Sequence, residues 1–277
     1  MRLRVGCTFD LKVEQPTPAV LLVEPRTDQP FRLVDERWVL DPPAGRRAAT
    51  DPYGNRRSRL VLPTGAIELR YDALVQVPDE PDAADPGAIQ HPVEDLPDEV
   101  LPFTLPSRYC LSDELMGPAW ELFGATEPGW ARVTAVCEWV NGQLGFRYGS
   151  SNPLTTAVDV YRAGQGVCRD FAHLAVTFCR ALNIPTRYAF GYLPDIDVPE
   201  PPDPMDFCAW IEVWLGGRWW TFDPRNQQTM PRRGRVLIGR GRDAVDVAMI
   251  TTYGVADLTD MKVVAEPDGS PEPSEPA

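Results

Sequence analysis

One cysteine in this chain stands where a thiol can act as a nucleophile. Cys168 follows the turn Ala163-Gly-Gln-Gly-Val167 and opens the run Cys-Arg-Asp-Phe-Ala-His-Leu-Ala-Val-Thr-Phe-Cys-Arg-Ala-Leu182. The apolar spacing of that run predicts a helix, which Asn183-Ile-Pro185 stops. A thiol in the first turn of a helix feels the partial positive charge there, which favours the thiolate. The N–H groups of the same turn can receive a developing oxyanion. Gly164 and Gly166 let the chain bend sharply before Cys168 and leave room for a substrate. On these features alone a reactive Cys168 and an inert core cysteine are evenly matched. Cys179, mid-helix among apolar residues, reads as core.

A second set of residues is organised by Gly216-Gly217, a strong two-residue hairpin signal. With that turn Leu215 pairs with Arg218, and Asp223 falls opposite Trp210, one diagonal step from Cys208. Cys208, Trp210 and Asp223 then share one face, while Ile211, Val213, Trp220 and Phe222 line the other. A slip of one residue would exchange the faces.

The elements that must position these groups fall into an α+β order. Residues 1–78 read as an antiparallel β-sandwich or barrel, with strands at Leu3–Phe9, Ala19–Val23, Arg37–Leu40, Arg59–Leu62, Ile67–Tyr71 and Leu74–Val77. Residues 79–104 begin acidic and proline-rich and read as a linker, with His91 solvated in it. Residues 105–263 carry helices at Glu114–Phe123, Trp130–Leu144, a short one near Thr156 and Asp159, and the Cys168 helix. Strands Thr186–Leu193, Phe207–Leu215 and Arg218–Phe222 follow, and the proline-bearing loop Pro194–Asp206 before Cys208 is a candidate lid. Residues 264–277 read as a disordered tail.

The net charge of −13 repels phosphate backbones and argues against a nucleic-acid partner. Arg232, Arg233, Arg235, Arg240 and Arg242 form a local basic cluster, read first as structural ion pairs and second as an anion site. No run approaches the ~18 apolar residues of a membrane span. The first ten residues alternate like a strand, unlike a leader, so a cytoplasmic protein with reduced thiols is expected. The sequence sets no oligomeric state.

The segments Gly166-Val-Cys-Arg-Asp-Phe-Ala-His-Leu174, Ala181-Leu-Asn-Ile-Pro-Thr-Arg-Tyr188, Gly191-Tyr192, Asp206-Phe-Cys-Ala-Trp-Ile-Glu-Val213 and Gly216-Gly-Arg-Trp-Trp-Thr-Phe-Asp223 resemble the bacterial transglutaminase-like proteins, whose fold is papain-like. The β region before them resembles the β domain that accompanies that group. The resemblance implies a nucleophile helix packed on an antiparallel sheet. It also implies acyl chemistry on an amide or thioester, by hydrolysis or transfer, with a peptide or other acyl substrate as partner and no cofactor. It places Cys168 at the nucleophile, Asp223 at the acid that orients the imidazole, and Gly166, Tyr192 and Trp210 beside the substrate. The family's general-base histidine falls on Cys208. His91 lies in the linker. His173 is five residues after Cys168, about 140° round the helix, and reads as a buried structural residue.

Three readings of Cys208 stay open. The protein is an enzyme of altered mechanism, in which Cys208 or Asp223 handles protons. Alternatively Cys168, Cys208 and Asp223 hold a metal ion, zinc or iron by donor type, or the two thiols form a reversible disulfide. Finally, the cleft is a peptide- or small-molecule-binding site without turnover, with Trp210, Trp214, Trp219 and Trp220 nearby. For those tryptophans ordinary packing is the favoured reading.

Overall fold

Strand β1 (Arg2–Val13) buries Leu3, Val5, Cys7, Phe9, Leu11 and Val13, every second residue, which is the period a sheet over a core requires. The computed structural model describes residues 1–198, 203–226 and 232–269. After β1 come β2 (Thr17–Leu21), β3 (Arg32–Asp41), β4 (Arg47–Thr50), β5 (Arg56–Leu62) and β6 (Gly65–Gln76). The two strands expected at Ile67–Tyr71 and Leu74–Val77 are halves of β6, which pairs with β1 along its whole length.

The second half contains α1 (Met116–Phe123), α2 (Trp130–Gln143), β7 (Gly145–Phe146), α3 (Ala157–Ala163), β8 (Gln165–Gly166) and α4 (Cys168–Ala181). Strands β9 (Thr186–Tyr192), β10 (Cys208–Leu215), β11 (Arg218–Phe222), β12 (Val236–Gly241), β13 (Ile250–Thr252) and β14 (Ala256–Pro267) complete it. Among the described residues three four-stranded antiparallel sheets form, in the orders β14-β1-β6-β3, β13-β2-β5-β4 and β11-β10-β9-β12. The fold is thus α+β, as expected.

The chain is less modular than its sequence suggests. Strand β14 runs beside β1 from Leu3↔Pro267 to Val13↔Ala256, and β13 pairs with β2. The C-terminal strands therefore complete the N-terminal sheets, and residues 264–267, expected in a disordered tail, are paired strand; 270–277 lie outside the described residues. Residues 79–104 are not a free linker either. Ala88, Leu96, Val100 and Phe103 are buried, and Ile89 O accepts the Gly216 N–H at 2.9 Å, so this segment straps the hairpin. Its apolar residues need burial however acidic their neighbours. His91, expected in solvent, is half-buried. Of the loop Pro194–Asp206, residues 199–202 lie outside the described residues.

Helix α4 is the centre of the second half, packed on β9 and β10 and flanked by α1, α2 and α3. Phe171, Leu174, Ala175 and Phe178 are buried in one core with Ile211, Val213, Trp220 and Phe222 from the sheet face turned to them. A helix enclosed on all sides must pair its polar groups. Arg180 does so by donating to the carbonyls of Leu105, Thr186 and Arg242 and to Ser107 Oγ, at 2.6–3.1 Å. Asn183 ends the helix at φ 60°, the left-handed conformation that asparagine tolerates.

Candidate active site

Cys168 is the first residue of α4. Its place is set by Asp170, a fully buried carboxylate whose Oδ2 accepts the Val167 N–H at 2.9 Å while Oδ1 pairs with Arg169 at 3.0 Å. Gly166 makes this cap possible, because a Cβ there would lie 2.7 Å from the Asp170 Cβ. Gly166 is thus a packing residue and not the substrate contact expected from sequence. Its carbonyl accepts the Arg147 N–H at 3.0 Å, tying the turn to the strand pair β7–β8.

The hairpin forms in the expected register, Leu215↔Arg218 through Ile211↔Phe222, over Gly216 and Gly217 at φ 58° and 82°. Both central residues carry the positive φ of a type I′ turn, which glycine adopts without strain. The ladder stops at Phe222, so the Trp210–Asp223 pair does not form. Cys208 and Trp210 do share a face, in a small cluster with Ala189, Leu193 and Leu237, and Cys168 packs against it.

Cys168 and Cys208 line one cleft of about 320 Å³, with Asp206, Arg169, Phe190 and Met249 among its walls. Cys168 is half-buried and Cys208 is 5% exposed. Cys168 is held below the ordinary thiol range first by its side-chain interaction with Cys208, although burial opposes it. The Arg225 charge and the Ala209 N–H act in the same direction. Cys208 moves the opposite way, well up, through the same interaction with Cys168 and through burial, with the Cys168 and Asp223 charges acting in the same direction.

Asp223 lies close enough for its charge to help raise Cys208, but its oxygens are engaged by other groups. Its Oδ1 accepts the N–H groups of Arg225 and Asn226 at 3.1 and 2.9 Å, and its Oδ2 accepts from Asn226 Nδ2 at 2.9 Å and Arg235 Nη2 at 2.7 Å. Burial opposes its ionisation, yet Arg235 and Asn226 keep its carboxyl below the usual range. With its oxygens so engaged, Asp223 closes the turn after β11. No group of three or more His, Cys, Asp or Glu side chains among the described residues is gathered to hold a metal ion, so Cys168, Cys208 and Asp223 are not brought together as a ligand set. All six cysteines are free thiols.

Two further positions are corrected. Tyr192 is fully buried, its hydroxyl donating to Val23 O at 2.9 Å beneath the N-terminal sheets, so it cannot meet a substrate. Trp210 is 2% exposed, with the Arg235 guanidinium 5.0 Å from its ring, and lines a separate cavity of about 390 Å³ instead of the cysteine cleft. The basic cluster resolves into ion pairs: Arg232 with Asp195, Arg233 with Asp197, Arg235 with Asp82 and Asp223, Arg240 with Glu212 and Asp28, and Arg242 with Asp246. His173 is a buried neutral histidine, as expected. Its Nε2 accepts the Ala244 N–H at 3.1 Å, it stacks on Tyr109 at 5.1 Å, and burial lowers its pKa to about 3.

Sequence reasoning gave no role to three groups near the thiols. Among the described residues Asp206 is the one carboxylate in the cleft walls, and burial raises its pKa. Arg225, stacked 4.1 Å over the Phe146 ring, supplies positive charge to both sulfurs. Burial raises the Tyr148 phenol, which also feels the Asp206 and Cys168 charges. Asp206 opens the Asp-Phe-Cys-Ala-Trp run and was visible in it; Arg225 and Tyr148 lie in irregular segments without a periodic signal.

Residues 121–224, which include Cys168, Cys208 and Asp223, match the family model of the transglutaminase-like superfamily. An uncharacterised protein of Mycobacterium tuberculosis is 31% identical over 246 residues, 80% of this chain and 77% of its own length. One from Mycobacterium leprae is 35% identical over 138 residues, and there the chain spans about half the relative's length, 48%. A crystal structure from Cytophaga hutchinsonii, described as a candidate cysteine protease, is 32% identical, covers 96% of this chain and 90% of its own, and superposes with a TM-score of 0.83. Among the described residues no helix is long and apolar enough to cross a membrane.

Proposed function

This chain belongs to the transglutaminase-like superfamily, and from that premise we propose that it performs cysteine-dependent acyl chemistry with Cys168 as nucleophile. The observation that carries the reading is the place of Cys168, the first residue of α4, in one cleft with Cys208, where Cys208 and the Arg225 charge hold its thiol below the ordinary range without any imidazole. The thiolate attacks an acyl carbonyl. The developing oxyanion meets the Cys168 and Arg169 N–H groups at the start of α4, since those of Asp170 and Phe171 already donate to Val167 O at 2.8 and 3.1 Å.

What leaves from the tetrahedral intermediate then decides the substrate class. An amide nitrogen must be protonated as it departs, and Cys208, raised well above the ordinary thiol range, is a poor donor. A thiolate leaving group, of pKa about 8.5, needs no proton. Thioesters therefore suit this cleft better than amides. Asp206, the carboxylate in the cleft wall, is the candidate base for water attacking the acyl-enzyme.

The test is turnover of a thioester and an amide carrying the same acyl group, by wild type, Cys168→Ala and Cys208→His. Wild type should cleave the thioester and Cys168→Ala should not, while Cys208→His should gain at least tenfold on the amide. Equal thioester turnover by wild type and Cys168→Ala would end the reading.

A further inference from the structure

We propose that Cys168 and Cys208 form a dithiol redox couple, which a hydroperoxide entering the cleft oxidises to a disulfide while being reduced to its alcohol. This is a second activity of the same two sulfurs and needs no acyl substrate.

The geometry supports it at three points. Both thiols line one cleft, and Cys168 packs against the cluster that contains Cys208. The Cys168 thiol reaches the carbonyl of Phe207, the residue before Cys208, at 3.6 Å, and Cys208 reaches that of Ala209 at 3.7 Å. A disulfide between these two side chains of one cleft needs a sulfur–sulfur bond of about 2.05 Å. Finally, of the six cysteines only Cys168 is open to solvent; Cys7, Cys110, Cys137, Cys179 and Cys208 are buried. An oxidant arriving from solution therefore meets Cys168 first, and Cys208 is the thiol beside it.

The chemistry asks for what the site has and omits what it lacks. The Cys168 thiolate attacks the terminal oxygen of the hydroperoxide, the O–O bond breaks, and the alkoxide takes a proton to leave as the alcohol. Cys168 becomes a sulfenic acid, oxidised by two electrons. The Cys208 sulfur, giving up its proton, then attacks the Cys168 sulfur and displaces hydroxide, which leaves as water. In sum, two thiols and one hydroperoxide give one disulfide, one alcohol and one water. No imidazole enters either step. The Arg225 charge favours the Cys168 thiolate on which the first attack depends, and once Cys168 is a sulfenic acid the charge on its sulfur that raises Cys208 is gone, which eases the second. A small dithiol reductant resets the pair by exchange and becomes a disulfide itself.

The experiment uses reduced full-length protein, freed of reductant and given one equivalent of cumene hydroperoxide at pH 7. Free thiols are then blocked with iodoacetamide under denaturing conditions, and the peptides are mapped by mass spectrometry. The expected result is a linked Cys168–Cys208 peptide, one equivalent of cumyl alcohol, alkylation of the other four cysteines, and reversal by dithiothreitol. Cys208→Ser should stop at a sulfenic acid on Cys168, trapped by dimedone, with no linked peptide. The proposal is overturned if both cysteines remain thiols, if Cys168 advances to sulfinic acid while Cys208 stays reduced, or if Cys168 links to another cysteine. Acyl turnover is not read here, so the outcome is independent of the acyl reading.

Discussion

Cys168 and Cys208 line one cleft, and the two thiols are displaced in opposite directions, Cys168 down and Cys208 up. Under the proposed reading Cys208 stands where an imidazole would both receive and return a proton. A thiol in the same place stabilises the nucleophile but does not shuttle. In the proposed chemistry, formation of the thiolate and protonation of a leaving group are therefore separate steps, and only the second lacks its donor.

Asp206 should control the second half of the acyl reaction. Its carboxyl is raised by burial, so deacylation in wild type rises with pH through a midpoint above the ordinary aspartate value. In Asp206→Asn that acid limb should vanish and deacylation slow at least tenfold. Single-turnover decay of a thioester-derived acyl-enzyme across pH 4–8 reads both effects, with acylation little changed.

His173 makes stability sensitive to acid. Buried neutral, it has a folded pKa of about 3 against 6.5 when unfolded. The unfolded chain thus binds the extra proton, and the stability held above pH 6.5 falls as pH drops from 6.5 towards 3. Thermal melts of wild type and His173→Gln at pH 7 and 4.5 should show the smaller loss in the variant, even if its melting temperature at pH 7 is lower.

The start of α4 should depend on a single carboxylate. Asp170→Ala removes the acceptor for the Val167 N–H and should cost about 1–2 kcal/mol in urea unfolding. Gly166→Ala should cost a comparable amount by pushing Asp170 off the cap, since the new Cβ would sit 2.7 Å from the Asp170 Cβ. The two changes act on one interaction, so the double variant should lose less than the sum.

Arg235 joins Asp82 to Asp223, with the Arg235 and Asp223 side chains both 8% exposed. Arg235→Met leaves a buried carboxylate without its partner and should cost about 3–5 kcal/mol. Because Asp223 is lowered in the fold, its contribution is present above the unfolded pKa and lost as pH falls through the folded value. Urea midpoints for wild type and Arg235→Met should therefore converge as pH falls through that range.

The parts of this molecule that a local pattern specifies were legible. The apolar spacing after Cys168 gave α4 to within a residue, and Gly216-Gly217 gave the β10–β11 register. What escaped depends on contacts distant in sequence. β14 pairs with β1 across some 250 residues, and nothing in residues 256–267 alone announces that partner. Asp223 was placed by a strand pattern, but Asn226 and Arg235, outside the ladder, decide where its carboxylate points. Tyr192 and Trp210 carry recognition chemistry in their side chains, and only tertiary packing reveals that both are sealed.

The central claim is that Cys208 makes Cys168 a thiolate. It is tested most directly by the pH dependence of Cys168 alkylation with iodoacetamide, followed by mass spectrometry in wild type, Cys208→Ser and Cys208→Ala. A serine hydroxyl can still donate to the sulfur and an alanine cannot. The expected midpoint lies below the ordinary thiol value of about 8.5 in wild type and Cys208→Ser and is higher in Cys208→Ala, where burial is opposed only by the Arg225 charge and the Ala209 N–H. A wild-type midpoint at or above 8.5, or the same midpoint in Cys208→Ala, would contradict it.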